Sequence, residues 1–205
     1  YTIILWDVPM HGLSRPYQGF SYHNTAEILR DILRQEKIEK IFLVGMSMGG
    51  YPSQHFASIY PDIIKGFIAL DTTQLGLIYY SKSDLWWLKQ VAPMAEYFPT
   101  HILKVSMAWS VSKCKYSFQK MMSMLEPLSK VDIIDQMRVA YEYFPMENKD
   151  VDFQFPVLIL VGKKDSTGKV KTYCKEWAKR TGYPLHYIKG AKHFSNGLFL
   201  FPYSS

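Results

Sequence analysis

Cysteine is scarce: the 205 residues contain two, Cys114 and Cys174. They stand far apart and in no metal-ligand spacing, which implies no zinc site and points to free thiols in a reducing, cytoplasmic compartment rather than to a disulfide. Long apolar runs are also missing. No stretch reaches the length of a membrane span, and the start lacks the basic, apolar and small-residue sections of a signal peptide. The chain opens on Tyr1 and enters a strand-like run at once, so it reads as an N-terminally truncated fragment, with any targeting signal lying upstream. A concentrated charge of one sign is absent too. The formal net charge of +6 comes from cations spread along the chain, such as Lys37, Lys40, Lys82, Lys113, Lys130, Lys163 and Lys179. That pattern describes a solvated surface rather than a nucleic-acid or membrane patch. Internal repeats and low-complexity linkers are lacking as well.

What the chain does have is apolar content. With 48% hydrophobic and 20% charged residues, it can bury a full core, and disorder is excluded. Five short runs rich in branched side chains, 2–6, 41–44, 67–70, 157–161 and 185–188, alternate with helical patterns. This is the rhythm of an α/β fold, a mostly parallel sheet covered by helices on both faces. Asn24 followed by Glu27 reads as a capping box ahead of the stripe Ile28, Leu29, Ile32 and Leu33. Another helix is expected from about Met48 to Tyr60. Residues 75–153 break the rhythm with helical patterns and aromatic clusters but no strand. Helices are expected after Asp84, after Pro99 and over 131–144. The division is therefore a first core segment, 1–74, an inserted helical cap, 75–153, and a second core segment, 154–205.

The strongest chemical signal is Gly45-Met46-Ser47-Met48-Gly49-Gly50, between an apolar run and a helical one. It fits the nucleophile elbow G-x-S-x-G. A sharp strand-to-helix turn holds its serine in strained backbone geometry, so small residues are expected two before and two after it. Ser47 would then sit at a helix N-terminus, where free N–H groups favour developing negative charge, with the Met48 N–H as oxyanion donor. The plainer alternative is a Gly-rich turn whose serine only caps the helix.

These motifs resemble those of the α/β-hydrolase-fold serine hydrolases, over most of the chain outside the cap. Trp6 to Pro16 is similar to the D-x-P-x-H-G-x-S segment after that family's fourth strand, and Ser47 to the nucleophile after its fifth. Residues 157–161 with Gly162, Lys163, Lys164 and Asp165 look like the seventh strand and its acid-bearing loop. Gly190 to Asn196 is similar to the histidine loop after the eighth. The resemblance implies an esterase-like mechanism: Ser47 attacks a carbonyl, His193 takes and returns the proton, and Asp165 orients the imidazole. Asp71, also at a strand end, is the alternative acid. His11 reads as structural, because the family's oxyanion-loop H-G motif precedes the Asp7 segment. His23, His55, His101 and His186 have no partners in sequence that raise them above packing or solvent-exposed positions.

The sequence departs from the family at both ends. The first three strands and the loop carrying a second oxyanion N–H have no counterpart before Tyr1, and this leaves the fourth strand as an exposed edge. After His193 the run from Gly197 to Tyr203 is apolar without helical period. The mechanism needs no metal or organic cofactor. Trp86, Trp87, Trp109, Phe118, Met107, Met121, Met122 and Met124 could roof a pocket for an apolar small-molecule ester, or simply pack the cap. A serine nucleophile argues against the dehalogenase and epoxide-hydrolase branches. A non-catalytic ligand-binding or scaffold role is the other class to weigh.

Overall fold

In a computed structural model, which describes residues 2–147, 149–193 and 195, four parallel strands form one sheet in the order β1-β2-β3-β4. They are β1 (Ile41–Met46), β2 (Ile64–Leu70), β3 (Val157–Gly162) and β4 (Leu185–Ile188). Four of the five apolar runs are thus strands. The fifth is corrected: Thr2 to Trp6 forms no strand, and Ile3 and Leu5 are 79% and 90% exposed. A strand needs a neighbour to satisfy its backbone, and among the described residues β1 pairs with β2 alone, so β1 is the edge.

Helix α1 (Tyr22–Gln35) precedes β1, α2 (Gly50–Ile59) follows it, and α8 (Val170–Thr181) joins β3 to β4. The cap of α1 is Ser21, not Asn24: Ser21 is extended and its Oγ accepts the Asn24 N–H at 2.9 Å. Both residue types cap helices, and Ser21 places Tyr22, Ala26, Leu29 and Leu33 on the buried stripe. These three helices share one core with the sheet, where Leu29, Phe56 and Trp177 meet Leu43, Phe67, Ile159 and Val161. Each fully buried large side chain contributes about 1.5–3 kcal/mol. On the opposite face, set by strand alternation, Phe42 and Val44 are 54% and 63% exposed. Among the described residues, α1, α2 and α8 pack against the face that carries Leu43, Phe67 and Ile159.

Between β2 and β3 the described chain is helical: α3 (Lys82–Ala95), α4 (Thr100–Val111), α5 (Lys115–Leu125), α6 (Lys130–Arg138), a π-helical turn over Val139–Tyr143 and the short α7 (Phe144–Met146). Ser81 and Ser129 cap α3 and α6 through their hydroxyls. Two apolar clusters belong to this region alone, one built on Ala92, Leu103 and Ile134, the other on Ala108, Leu125 and Ile133. The region is tied back to α1 at its N-terminus, where Glu147 accepts the Tyr22 and His23 N–H groups at 3.0 and 3.2 Å. The Tyr22 hydroxyl donates to the Val139 carbonyl at 2.6 Å. Phe153, at the expected boundary, packs in the main core.

Candidate active site

The C-terminal ends of the four strands carry the candidate residues. Ser47 follows β1 at φ 48°, the left-handed region that costs a non-glycine residue about 1–3 kcal/mol. A short turn over Ser47–Gly49 then feeds α2. Crowding explains the glycines, though not as the motif suggests. A Cβ on Gly45 would lie 2.6 Å from Gly50 Cα, and one on Gly50 would lie 2.2 Å from Thr72 Oγ1. At Gly49 nothing lies within 4 Å, so the requirement for a small residue after the serine falls on Gly50. The elbow is braced by Gln54, fully buried, whose amide donates to the Gly50 and Thr73 carbonyls and whose Oε1 accepts the Leu75 N–H. Nothing in the sequence motif marks Gln54, because all three of its partners are backbone groups.

The loop after β4 brings His193 to the elbow, 7% exposed, with Nε2 2.7 Å from Ser47 Oγ. Its Nδ1 lies 2.9 Å from Asp165 Oδ2, in the loop after β3. A carboxylate only accepts, so Nδ1 carries the proton and Nε2 is left to accept from the serine hydroxyl. Asp165 also accepts the Thr167 N–H at 2.8 Å. Burial works to raise its pKa, but the bond to His193, that ring's charge and Thr167 outweigh it and hold Asp165 below the usual carboxylate range. Met48 follows Ser47 in the first turn, where N–H groups lack intrahelical acceptors.

Asp71, the alternative acid, follows β2 at φ 47° and is fully buried, but its oxygens face other partners. One accepts the Gly162 N–H at 2.8 Å, and the other accepts the Ser195 N–H at 3.3 Å together with the Ser195 hydroxyl. Burial pushes Asp71 up despite these bonds. Ser195 stands in the quoted histidine loop without any role read from sequence, and the structure makes it the partner of Asp71. Phe194, Asn196 and the apolar run after it lie outside the described residues.

His11 sits in a turn, its backbone bonded to Val8 and Ser14 and its Nδ1 3.2 Å from the Pro9 carbonyl. His55 is buried with neither ring nitrogen bonded, and burial lowers it to about 4. Both cysteines are free, and burial pushes Cys174 up to about 12. Among the described residues no group of His, Cys, Asp or Glu could hold a metal ion, and no helix is long and apolar enough to cross a membrane. Met107, Phe118, Met121 and Met122 pack inside the helical region, whereas Trp86, Trp87, Trp109 and Met124 are exposed. Trp109 reaches the histidine loop, its ring 5.5 Å from Lys192 Nζ. A cavity of about 370 Å³ belongs to the N-terminal segment, with Trp6, Arg15 and Ile28 in its wall, and includes none of Ser47, Asp165 and His193.

Known proteins share this arrangement of elements. An esterase from Thermogutta terrifontis superposes with a TM-score of 0.71 at 22% identity, covering 93% of this chain and 72% of its own. A bromoperoxidase from Bacillus anthracis gives 0.71 at 18% identity, covering 95% and 79%. In sequence, the chain is 24% identical over 185 residues to a "Probable alcohol acetyltransferase" of Wickerhamomyces anomalus, over 76% of this chain and 54% of that protein. It is 24% identical over 105 residues to a poly(3-hydroxyalkanoate) depolymerase of Ectopseudomonas oleovorans, over 51% of this chain and 37% of that one. The chain thus spans about half or less of the length of these curated relatives. The family model described as the alpha/beta hydrolase fold matches residues 1–197, and by that match the chain belongs to the alpha/beta hydrolase fold family.

Proposed function

We propose that this chain carries the catalytic centre of a serine hydrolase that cleaves carboxylic esters or related acyl bonds. The observation that carries the reading is the unbroken line from Ser47 Oγ to His193 Nε2 at 2.7 Å and from His193 Nδ1 to Asp165 Oδ2 at 2.9 Å. Ser47 Oγ attacks the carbonyl carbon while its proton passes to His193 Nε2. Asp165 stays ionised and stabilises the imidazolium. The oxyanion of the tetrahedral intermediate is met by the Met48 N–H. Collapse breaks the ester C–O bond, and His193 gives its proton to the departing alkoxide. A water deprotonated by His193 then releases the acid and restores Ser47.

Residues 75–153 act as a cap in this reading, with Trp109 beside the histidine loop, and the favoured substrates are small and apolar. The W. anomalus relative supports a variant of the second step, in which an alcohol takes the acyl group in place of water. Both routes share the acyl-enzyme. The test is turnover of p-nitrophenyl acetate and butyrate, with and without added ethanol, for the wild type and Ser47→Ala. Ser47-dependent p-nitrophenol release supports the reading, and ethyl ester formation identifies the acceptor. A folded wild type whose release equals that of Ser47→Ala contradicts it and favours a binding role.

A further inference from the structure

The carboxylate that does not touch His193 occupies a telling position. Asp71 is buried with neutral donors around it, the Gly162 N–H and the N–H and hydroxyl of Ser195. Among the described residues no Lys or Arg pairs with it. An ionised group buried this way costs folding free energy that an apolar residue would not. Its backbone is also held in the left-handed region, at φ 47°. Its two oxygens reach two different loops. Gly162 starts the loop of Asp165, whose own N–H returns to the Gly162 carbonyl at 2.9 Å. Ser195 lies two residues beyond His193. The loops cross where these contacts are made: the Lys164 N–H meets the Ala191 carbonyl at 2.8 Å, and Lys192 O lies 2.3 Å from where a Gly162 Cβ would stand.

We propose that Asp71 is a positioning residue for the reaction, a carboxylate bracket that fixes the Asp165 loop and the His193 loop relative to one another. The proposal rests on the reading of Ser47, His193 and Asp165 given above. His193 has to satisfy two bonds at once, 2.7 Å to Ser47 and 2.9 Å to Asp165. Each partner sits on a different loop, so the imidazole is aligned only while the loops hold their spacing. A displacement of about 1 Å at a reacting group costs on the order of 100-fold in rate. An asparagine at position 71 keeps one acceptor for the Gly162 N–H, but its amide nitrogen accepts neither donor of Ser195.

The experiment compares wild type, Asp71→Asn, Ser195→Ala and Ser47→Ala in p-nitrophenyl acetate turnover. Thermal melting checks folding, and the low-field proton signal of the hydrogen-bonded His193 Nδ1–H reports alignment. The expected result is a fall in kcat of about 10- to 100-fold for Asp71→Asn and a smaller one for Ser195→Ala, with KM unchanged and the low-field signal weakened in both. A purely structural role would lower the melting temperature but leave kcat per folded molecule and the low-field signal at wild-type values, and that result overturns the proposal alone. If Asp71→Asn does not fold, Ser195→Ala decides by the same readouts. A wild type without Ser47-dependent turnover overturns the catalytic reading and this proposal with it.

Discussion

Asp71 and Asp165 follow the neighbouring strands β2 and β3, are both buried, and differ in nearly everything else. Asp165 faces an imidazole and is held below the ordinary carboxylate range, whereas Asp71 faces neutral donors and is pushed above it. The difference teaches that a strand-end carboxylate is not a catalytic acid by position alone. What decides is the direction in which the following backbone turns it. In Asp71 a left-handed φ of 47° accompanies side-chain bonds to Gly162 and Ser195. In Asp165 the turn closed by its N–H on the Gly162 carbonyl leaves Oδ2 on His193.

The comparison can be broken most sharply by removing each carboxylate. Asp165→Asn is expected to lower kcat by about 10⁴, because the amide cannot hold the imidazole in the required tautomer. Asp71→Asn is expected to lose about 100-fold at most. Steady-state kinetics of the two variants checks the ratio, and equal losses would erase the distinction. Gly162→Ala acts where the two aspartates meet. Its Cβ would overlap the Lys192 carbonyl at 2.3 Å, so a loss of about 1–3 kcal/mol in urea unfolding is expected, together with reduced turnover. Gly49→Ala is its control, since nothing lies within 4 Å there, and should stay within about 0.5 kcal/mol of wild type.

The smallest effect is on pH dependence, and its sign differs between the two residues. Asp165 is depressed in the fold, so its contribution is present above the unfolded value of about 4 and is lost as pH falls below it. Asp71 is raised, so its ionised form burdens the fold above about pH 4, and that burden is relieved on acidification. Unfolding curves from about pH 6 to 3 should therefore show the wild type gaining on Asp71→Asn as pH falls, and losing its margin over Asp165→Asn. Parallel slopes would contradict the assignment.

Local pattern carried much of this architecture. Four strands were legible because branched apolar runs flanked by turn residues leave few alternatives, and the order of serine, aspartate and histidine was legible from motifs. What stayed hidden depends on distant partners. Thr2 to Trp6 has the side chains of a strand, but strand formation needs a neighbouring ladder that composition does not encode. Ser21 and Asn24 are both residue types that cap helices, and the cap at Ser21 goes with burial of Tyr22, Ala26, Leu29 and Leu33. The motif marks Gly49, yet the crowding falls on Gly50 and comes from Thr72, in the segment after β2. Ser195 and Asp71 lie 124 positions apart, a separation at which no spacing rule operates.

The central claim is that Ser47 is activated by His193. The direct measurement is the mass of the intact protein after exposure to a fluorophosphonate, with the adduct mapped by peptide sequencing, for wild type, Ser47→Ala and His193→Ala. A single adduct on Ser47 is expected in the wild type and none in either variant. A folded wild type that takes no adduct, or one that labels as fast without His193, would contradict it.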